Sequence, residues 1–231
     1  METLERIKQE IKFYKSKVID YKKGNIDPNI KGIRSVMGVY AEREKEKYML
    51  RIKTPAGIIT ADQLEAVSKI ADKYSYGKIH FTTRQDIQFH AVELENTANI
   101  MEEILEIGIN SLGAGGNSAR NVACSPLAGV DKDEIFDVTP YAVETAEHLL
   151  KDPSTIKLPR KYKVSFSNNN LDTAYATIAD LGFVAKVEDD KKGFQVYGSG
   201  GLGGSSTAAL KIEDFIDEKD VLYYVQAMKE L

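Results

Sequence analysis

A chain of 231 residues with 42% hydrophobic and 29% charged positions can build one large or two small cored domains, which excludes a disordered tail or a fibrous repeat. Its 31 Lys and Arg against 35 Asp and Glu leave a net charge of −4, so no broad electrostatic attraction to nucleic acid or an anionic membrane is expected and anion binding is confined to local clusters. One cysteine, Cys124, and three scattered histidines rule out an internal disulfide and argue against a Cys/His zinc site; no metal ligands are assigned. The N-terminal segment lacks a signal peptide's apolar stretch and no apolar run is long enough to span a bilayer, so a cytoplasmic location is expected.

Residues 1–24 set Leu4, Ile7, Ile11, Val18 and Ile19 among many charges, the thin apolar stripe of one or two surface helices. Gly24 to Gly38, with Pro28, reads as an extended arm. Tyr48, Leu50 and Ile52 alternate with Met49, Arg51 and Lys53, a half-buried strand that ends at the Pro55-Ala56-Gly57 turn. Thr60 and Gln63 have capping-box spacing before a helix carrying Leu64, Val67, Ile70, Ala71 and Tyr74, which Gly77 stops. Two antiparallel strands, Ile79 to Thr83 and Ile87 to Ala91, meet at the turn Arg84-Gln85-Asp86. A helix with Ile100, Met101, Ile104 and Ile107 on one side then ends at Gly108. Strand, helix, strand, strand, helix makes a small α+β unit.

Residues 109–138 show little periodicity and contain two glycine-rich stretches, the signature of a functional or disordered loop. Thr139 and Pro140 open a helix through Leu150. Tyr162, Val164 and Phe166 alternate with Lys161, Lys163 and Ser165, a strand whose second face carries two cations. Asn170 to Leu181 reads as helix, Phe183 to Val187 and Phe194 to Tyr197 as a hairpin closed by residues 190–193, and a last helix begins at Glu218. The fold class is α+β throughout.

Gly198-Ser199-Gly200-Gly201-Leu202-Gly203 matches the dinucleotide spacing G-x-G-x-x-G, but no long helix opens at its end and too little chain follows for the ribose-binding strand. A turn is the simpler reading, and a backbone lying close against a flat ligand a further one. Arg84 at a hairpin tip, Arg120 in the long loop, and Lys161 with Lys163 are four cations that either face solvent or converge on an anion; the residues alone leave both open. Cys124 has no neighbouring base and reads as a buried, inert thiol.

The segments Tyr48-Met49-Leu50-Arg51, Thr82-Thr83-Arg84-Gln85-Asp86-Ile87-Gln88-Phe89-His90, Ala119-Arg120-Asn121-Val122, Ser125-Pro126-Leu127-Ala128-Gly129 and Leu158-Pro159-Arg160-Lys161-Tyr162-Lys163 occur in this order, ahead of the Gly198 to Gly204 cluster. Together they resemble the sirohaem-dependent sulfite and nitrite reductases. The resemblance implies an N-terminal helix and arm over 1–42, a ferredoxin-like half-domain over 43–110, and a sirohaem-binding, sandwich-like α+β half over 111–231. It matches Arg84, Arg120, Lys161 and Lys163 to the family's four substrate-side cations. Thr83, Gln85, Gln88, Asn121, Arg160, Gly200 and Gly201 become expected cofactor-binding positions. Fixed cations suit the task, because the substrate is an anion, the tetrapyrrole carries many carboxylates, and lysines can relay protons.

Lysine at 163, where plant-type nitrite reductases tend to be neutral, tilts the expected substrate from nitrite towards sulfite. The complete proteins carry sirohaem and a 4Fe-4S cluster held by four cysteines. This chain has one cysteine, so it is expected to be the N-terminal half of such a reductase, with neither cofactor bound to the chain alone and no activity by itself. The expected partners are sulfite or nitrite and a cluster-bearing half or subunit, with the electron donor open. A chain lacking that half is also expected to self-associate as a homo-oligomer. The alternatives are a non-catalytic tetrapyrrole- or anion-binding module of the same fold and a purely structural subunit.

Overall fold

The structure, a computed structural model, describes residues 2–231. They group into two compact units. The first takes the residues up to Thr54 together with Ile58–Ala119 and Pro153–Lys161, and the second takes Pro55–Gly57, Arg120–Asp152 and Tyr162–Leu231.

The first unit begins with α1 (Glu2–Lys22), which buries Ile7, Ile11, Tyr14 and Val18. Tyr14 rather than Leu4 or Ile19 completes the stripe, and it does so by pairing its hydroxyl with Thr97 Oγ1 at 2.7 Å. The segment expected to be an extended arm contains a short helix, α2 (Ile30–Val36). Its start is set by an Asx turn in which Asn29 N donates to Asp27 Oδ1 (2.8 Å), and Pro28 and Gly32 hid it from a reading by composition. After β1 (Val39–Ala41) come β2 (Lys47–Ile52), α3 (Ala61–Tyr74), β3 (Ile79–Phe81), β4 (Ile87–Glu93) and α4 (Leu94–Glu106). The expected capping box is present, with Gln63 N donating to Thr60 Oγ1 and Thr60 N to Gln63 Oε1. The sheet is antiparallel in the order β1-β2-β4-β3. One face supplies Leu50, Ile52, Ile87 and Phe89 to a core shared with Val67 and Ile70 of α3 and Met101 and Ile104 of α4. Each such side chain contributes roughly 1.5–3 kcal/mol of burial. Residues 153–161 belong here because Ala119 N bonds Thr155 O (2.8 Å) and Leu158 N bonds Asn117 O (3.0 Å).

The second unit is built on one mixed five-stranded sheet in the order β5-β6-β7-β8-β9. Its strands are β5 (Ala123–Cys124), β6 (Val164–Ser167), β7 (Leu181–Glu188), β8 (Lys191–Gly198) and β9 (Leu210–Asp217), with α5 (Thr139–Lys151) and α6 (Val221–Glu230) beside them. β5, β6 and β7 run parallel, while β8 and β9 are antiparallel to their neighbours. Phe166 stacks on Phe183 (4.7 Å between centroids), and Phe194 meets both edge-on.

Four expectations need correction here. β6 does not have one wet face: Val164, Ser165, Phe166 and Ser167 are all buried, as a parallel strand between two neighbours should be, and Lys161 and Lys163 precede it. The helix expected over Asn170 to Leu181 reduces to a 3-10 turn at Ala176–Ile178, because Asp172 (φ 53°) and Tyr175 (φ 55°) are left-handed and the Asp172 carboxylate captures the local N–H groups. β9 is an element no expectation covered, since Leu210 to Asp214 are exposed and carry no alternation. The β7–β8 hairpin closes at Asp189-Asp190 (φ 48° and 60°), a two-residue turn with both residues left-handed, not over 190–193. No helix among the described residues is long and apolar enough to cross a membrane.

Candidate functional site

In the first unit the β3–β4 connection is a tightly bonded turn. Thr82 N donates to Asp86 O (2.8 Å) and Gln85 N to Thr82 O (2.9 Å), while Thr82 Oγ1 accepts from Arg84 N (3.3 Å) and Asp86 N (3.0 Å). Gln85 is left-handed (φ 62°), and Thr54 Oγ1 donates to its carbonyl. The turn therefore presents Thr83 and Arg84 from a rigid backbone. Gln88 is buried and lies opposite Arg51 across the β2–β4 ladder. With its amide oxygen turned to the guanidinium, it accepts from Arg51 Nη2 (2.8 Å) and Nε (3.1 Å). Arg160 and Lys161 are exposed at the end of the 153–161 segment, which Asn117 Nδ2 ties down by donating to Pro159 O (3.0 Å).

In the second unit the expected residues gather at one end of the sheet. Arg120 and Asn121 lead into β5 and Lys163 into β6, and the two approaches are joined where Arg120 N donates to Tyr162 O (2.8 Å). Asp180 immediately precedes β7. One oxygen of its carboxylate, Oδ2, accepts from Lys163 N (2.8 Å) and pairs with Lys163 Nζ (2.8 Å). The end of β8 returns to this edge, where Ser199 N donates to Asp180 O and Gly200 N to Ala179 O, both at 2.9 Å. A Cβ on Gly200 would sit 2.6 Å from Ala179 O, so glycine is required by the approach of two backbones. Gly201 pairs with Thr207 in a small closed loop, and β9, not a helix, follows it, which removes the structural context for dinucleotide binding. Burial next to the Asp180 charge pushes the Tyr162 phenol well above its ordinary range, and its hydroxyl donates to Val225 O (3.0 Å).

Three groups were not singled out from the sequence. Asp180 reads as an ordinary polar residue until the fold brings it under Lys163. Arg51, on the face of β2 opposite its core residues, and Lys53, just after the strand, both bond the 113–119 loop: Arg51 Nη1 donates to Ala114 O (3.2 Å) and Lys53 Nζ to Ala119 O (3.1 Å). A half-buried cation at alternate strand positions was the available signal. Cys124 is buried, and desolvation lifts its thiol to about 11. At pH 8 about one molecule in a thousand carries the thiolate. Native Cys124 is therefore expected to react with a disulfide reagent at least tenfold more slowly than the urea-unfolded chain; equal rates would contradict its burial.

No group of three or more His, Cys, Asp or Glu residues able to hold a metal occurs among the described residues. The donor set at the sheet edge is instead cationic, which suits carboxylates and oxyanions. The model of the nitrite/sulfite reductase ferredoxin-like half domain matches residues 40–107, and that of the nitrite and sulphite reductase 4Fe-4S domain matches residues 115–231. The chain belongs to the nitrite and sulfite reductase family. The ferredoxin–nitrite reductase of Leptolyngbya laminosa is 29% identical over 199 residues, covering 83% of this chain and 39% of that protein. The sulfite reductase [NADPH] hemoprotein beta-component of Vibrio atlanticus is 34% identical over 210 residues, covering 75% and 36%. The solved structure of the Mycobacterium tuberculosis NirA protein superposes with a TM-score of 0.81 at 25% identity, over 89% of this chain and 41% of that one. The chain thus spans about two-fifths of the length of the family members it matches.

Proposed function

We propose that this chain supplies the substrate-side cations and the tetrapyrrole contacts of a sirohaem-dependent reductase of sulfite, or of nitrite. The observation that carries this reading is the gathering of Arg120, Lys163 and the Gly200 backbone at one end of the five-stranded sheet. Arg84 and Lys161 of the first unit are assigned the same role from motif order alone, each carried on a segment fixed by its own hydrogen bonds. Arg120 offers a planar fork that matches a carboxylate or oxyanion, and Lys161 and Lys163 offer ammonium protons. When bound, sirohaem supplies an iron centre through which electrons reach the substrate. The cations hold the anion, offset the charge that builds up during reduction, and keep protons at Nζ for the departing oxygens. Lysine at 163 favours sulfite, whose dianion carries more charge than nitrite.

The 4Fe-4S cluster does not fit these residues. Four thiolates are needed, and the single cysteine is buried and protonated. In this reading the cluster ligands come from sequence outside these residues, and electron transfer depends on them. Titration of the full chain with sirohaem, followed by absorption, tests the proposal. Saturation at one equivalent, weakened by salt, is expected; this revises the expectation that the chain alone holds neither cofactor, because cations at the sheet end can bind the tetrapyrrole carboxylates without the cluster. No spectral change at micromolar concentrations would overturn the proposal.

A further inference from the structure

We propose that a cleft along α2 is a second binding site, for an anion with an apolar body, independent of the reductase reading. The cleft has a volume of about 740 Å³ and none of the expected reductase residues lines it. That size is ordinary for a small-molecule site. Its walls are apolar, with Val36, Val39 and Ile156 among them, and its charged lining consists of Lys31, Arg34 and Lys157 without a single carboxylate. In a chain of net charge −4, three cations without an acid form a local reversal of sign.

The neighbouring lysines behave differently. Lys15 pairs with Glu102, Lys17 with Asp27 and Lys22 with Glu95. The three cleft cations have no carboxylate partner among the described residues. Arg34 is held in place by its stack on Tyr48, 4.9 Å from the ring centroid, and its buried Nε has no hydrogen-bond acceptor. A second cleft of about 500 Å³ shares Val36, Ile156 and Lys157 with the first and adds Phe13, Tyr14, Ile33 and Met37 to the apolar wall, with Gln9 and Glu10 as its polar lining. Inorganic phosphate or sulfite would satisfy the cations and leave that wall wet. An acid group on an aromatic or aliphatic body satisfies both.

Two fluorescent probes of one shape test this: 8-anilinonaphthalene-1-sulfonate and its neutral analogue N-phenyl-1-naphthylamine, each titrated into the full chain. The sulfonate is expected to bind at one equivalent and about tenfold tighter than the neutral probe. Lys31→Glu and Lys157→Glu, both at exposed positions, are each expected to lower sulfonate affinity about tenfold and to leave the neutral probe unchanged, with melting temperatures like the parent's. Arg34→Gln also removes the stack on Tyr48, so the two lysines carry the test. Equal affinity for the two probes, or sulfonate affinity indifferent to both substitutions, would overturn the proposal.

Discussion

Arg120→Gln is expected to weaken sirohaem binding by about tenfold, Lys163→Gln by only a few-fold, the double variant by about thirtyfold, and Asp180→Asn to strengthen it. The loss at Arg120 is that of one charge-assisted bond, and the loss at Lys163 is reduced by its ion pair with Asp180. A charge-assisted hydrogen bond to a carboxylate is worth about 1.5–3 kcal/mol, of which 1.4 kcal/mol is a factor of ten. Lys163 already spends part of its charge on Asp180 at 2.8 Å, with its side chain 15% exposed, so an incoming carboxylate has to compete with a resident one. Asparagine at 180 keeps an oxygen for the Lys163 N–H and removes the competing charge, which frees the ammonium for the ligand. The dissociation constants come from the absorption titration of each variant. An Asp180→Asn chain that binds more weakly than the parent would show that the pair orients Lys163 for the ligand and does not compete with it.

Asp172→Ala is expected to lower the free energy of unfolding by roughly 3–5 kcal/mol, a large share of a domain's stability. The Asp172 carboxylate accepts from Ser167 Oγ (2.6 Å) and Ala176 N (2.6 Å) on one oxygen, and from Thr177 N (3.1 Å) and Thr177 Oγ1 (2.6 Å) on the other. Ser167 is fully buried at the end of β6, and its hydroxyl oxygen also accepts from Ala174 N (3.2 Å). Removing the carboxylate strands the hydroxyl of the fully buried Ser167 and takes the acceptor from three further donors in a half-buried turn. Asp172→Asn keeps an acceptor oxygen and is expected to cost about half as much. Urea unfolding followed by circular dichroism reads both, and a loss below about 1 kcal/mol for the alanine variant would mean that water replaces the carboxylate.

The ferredoxin-like unit was legible because its signals are local. Alternation in Tyr48, Leu50 and Ile52, the Thr60 and Gln63 capping pair, and the stop at Gly108 each act within a few residues, and the structure contains all three. The second unit was read less well because its determinants are not periodic. Asn170 to Leu181 has helix-like spacing, yet a single aspartate carboxylate overrides it, and β9 is an edge strand whose exposed residues carry no pattern. For the candidate site, residue type was legible and partnership was not. Motif order pointed to Arg120 and Lys163, and the bond from Arg120 N to Tyr162 O joins their strands. Asp180 could not be found, because its closeness to Lys163 depends on the parallel pairing of β6 with β7.

Residue-resolved footprinting of lysine and arginine side chains by mass spectrometry, with and without saturating sirohaem, bears most directly on the claim that the cationic end of the five-stranded sheet holds the ligand. Arg120 is expected to lose reactivity on binding, by several-fold, while Lys163 reacts slowly in both states because Asp180 holds it. Lys31 and Lys157, in the α2 cleft, are expected to keep their rates. Unchanged modification of Arg120 at saturation would contradict the claim.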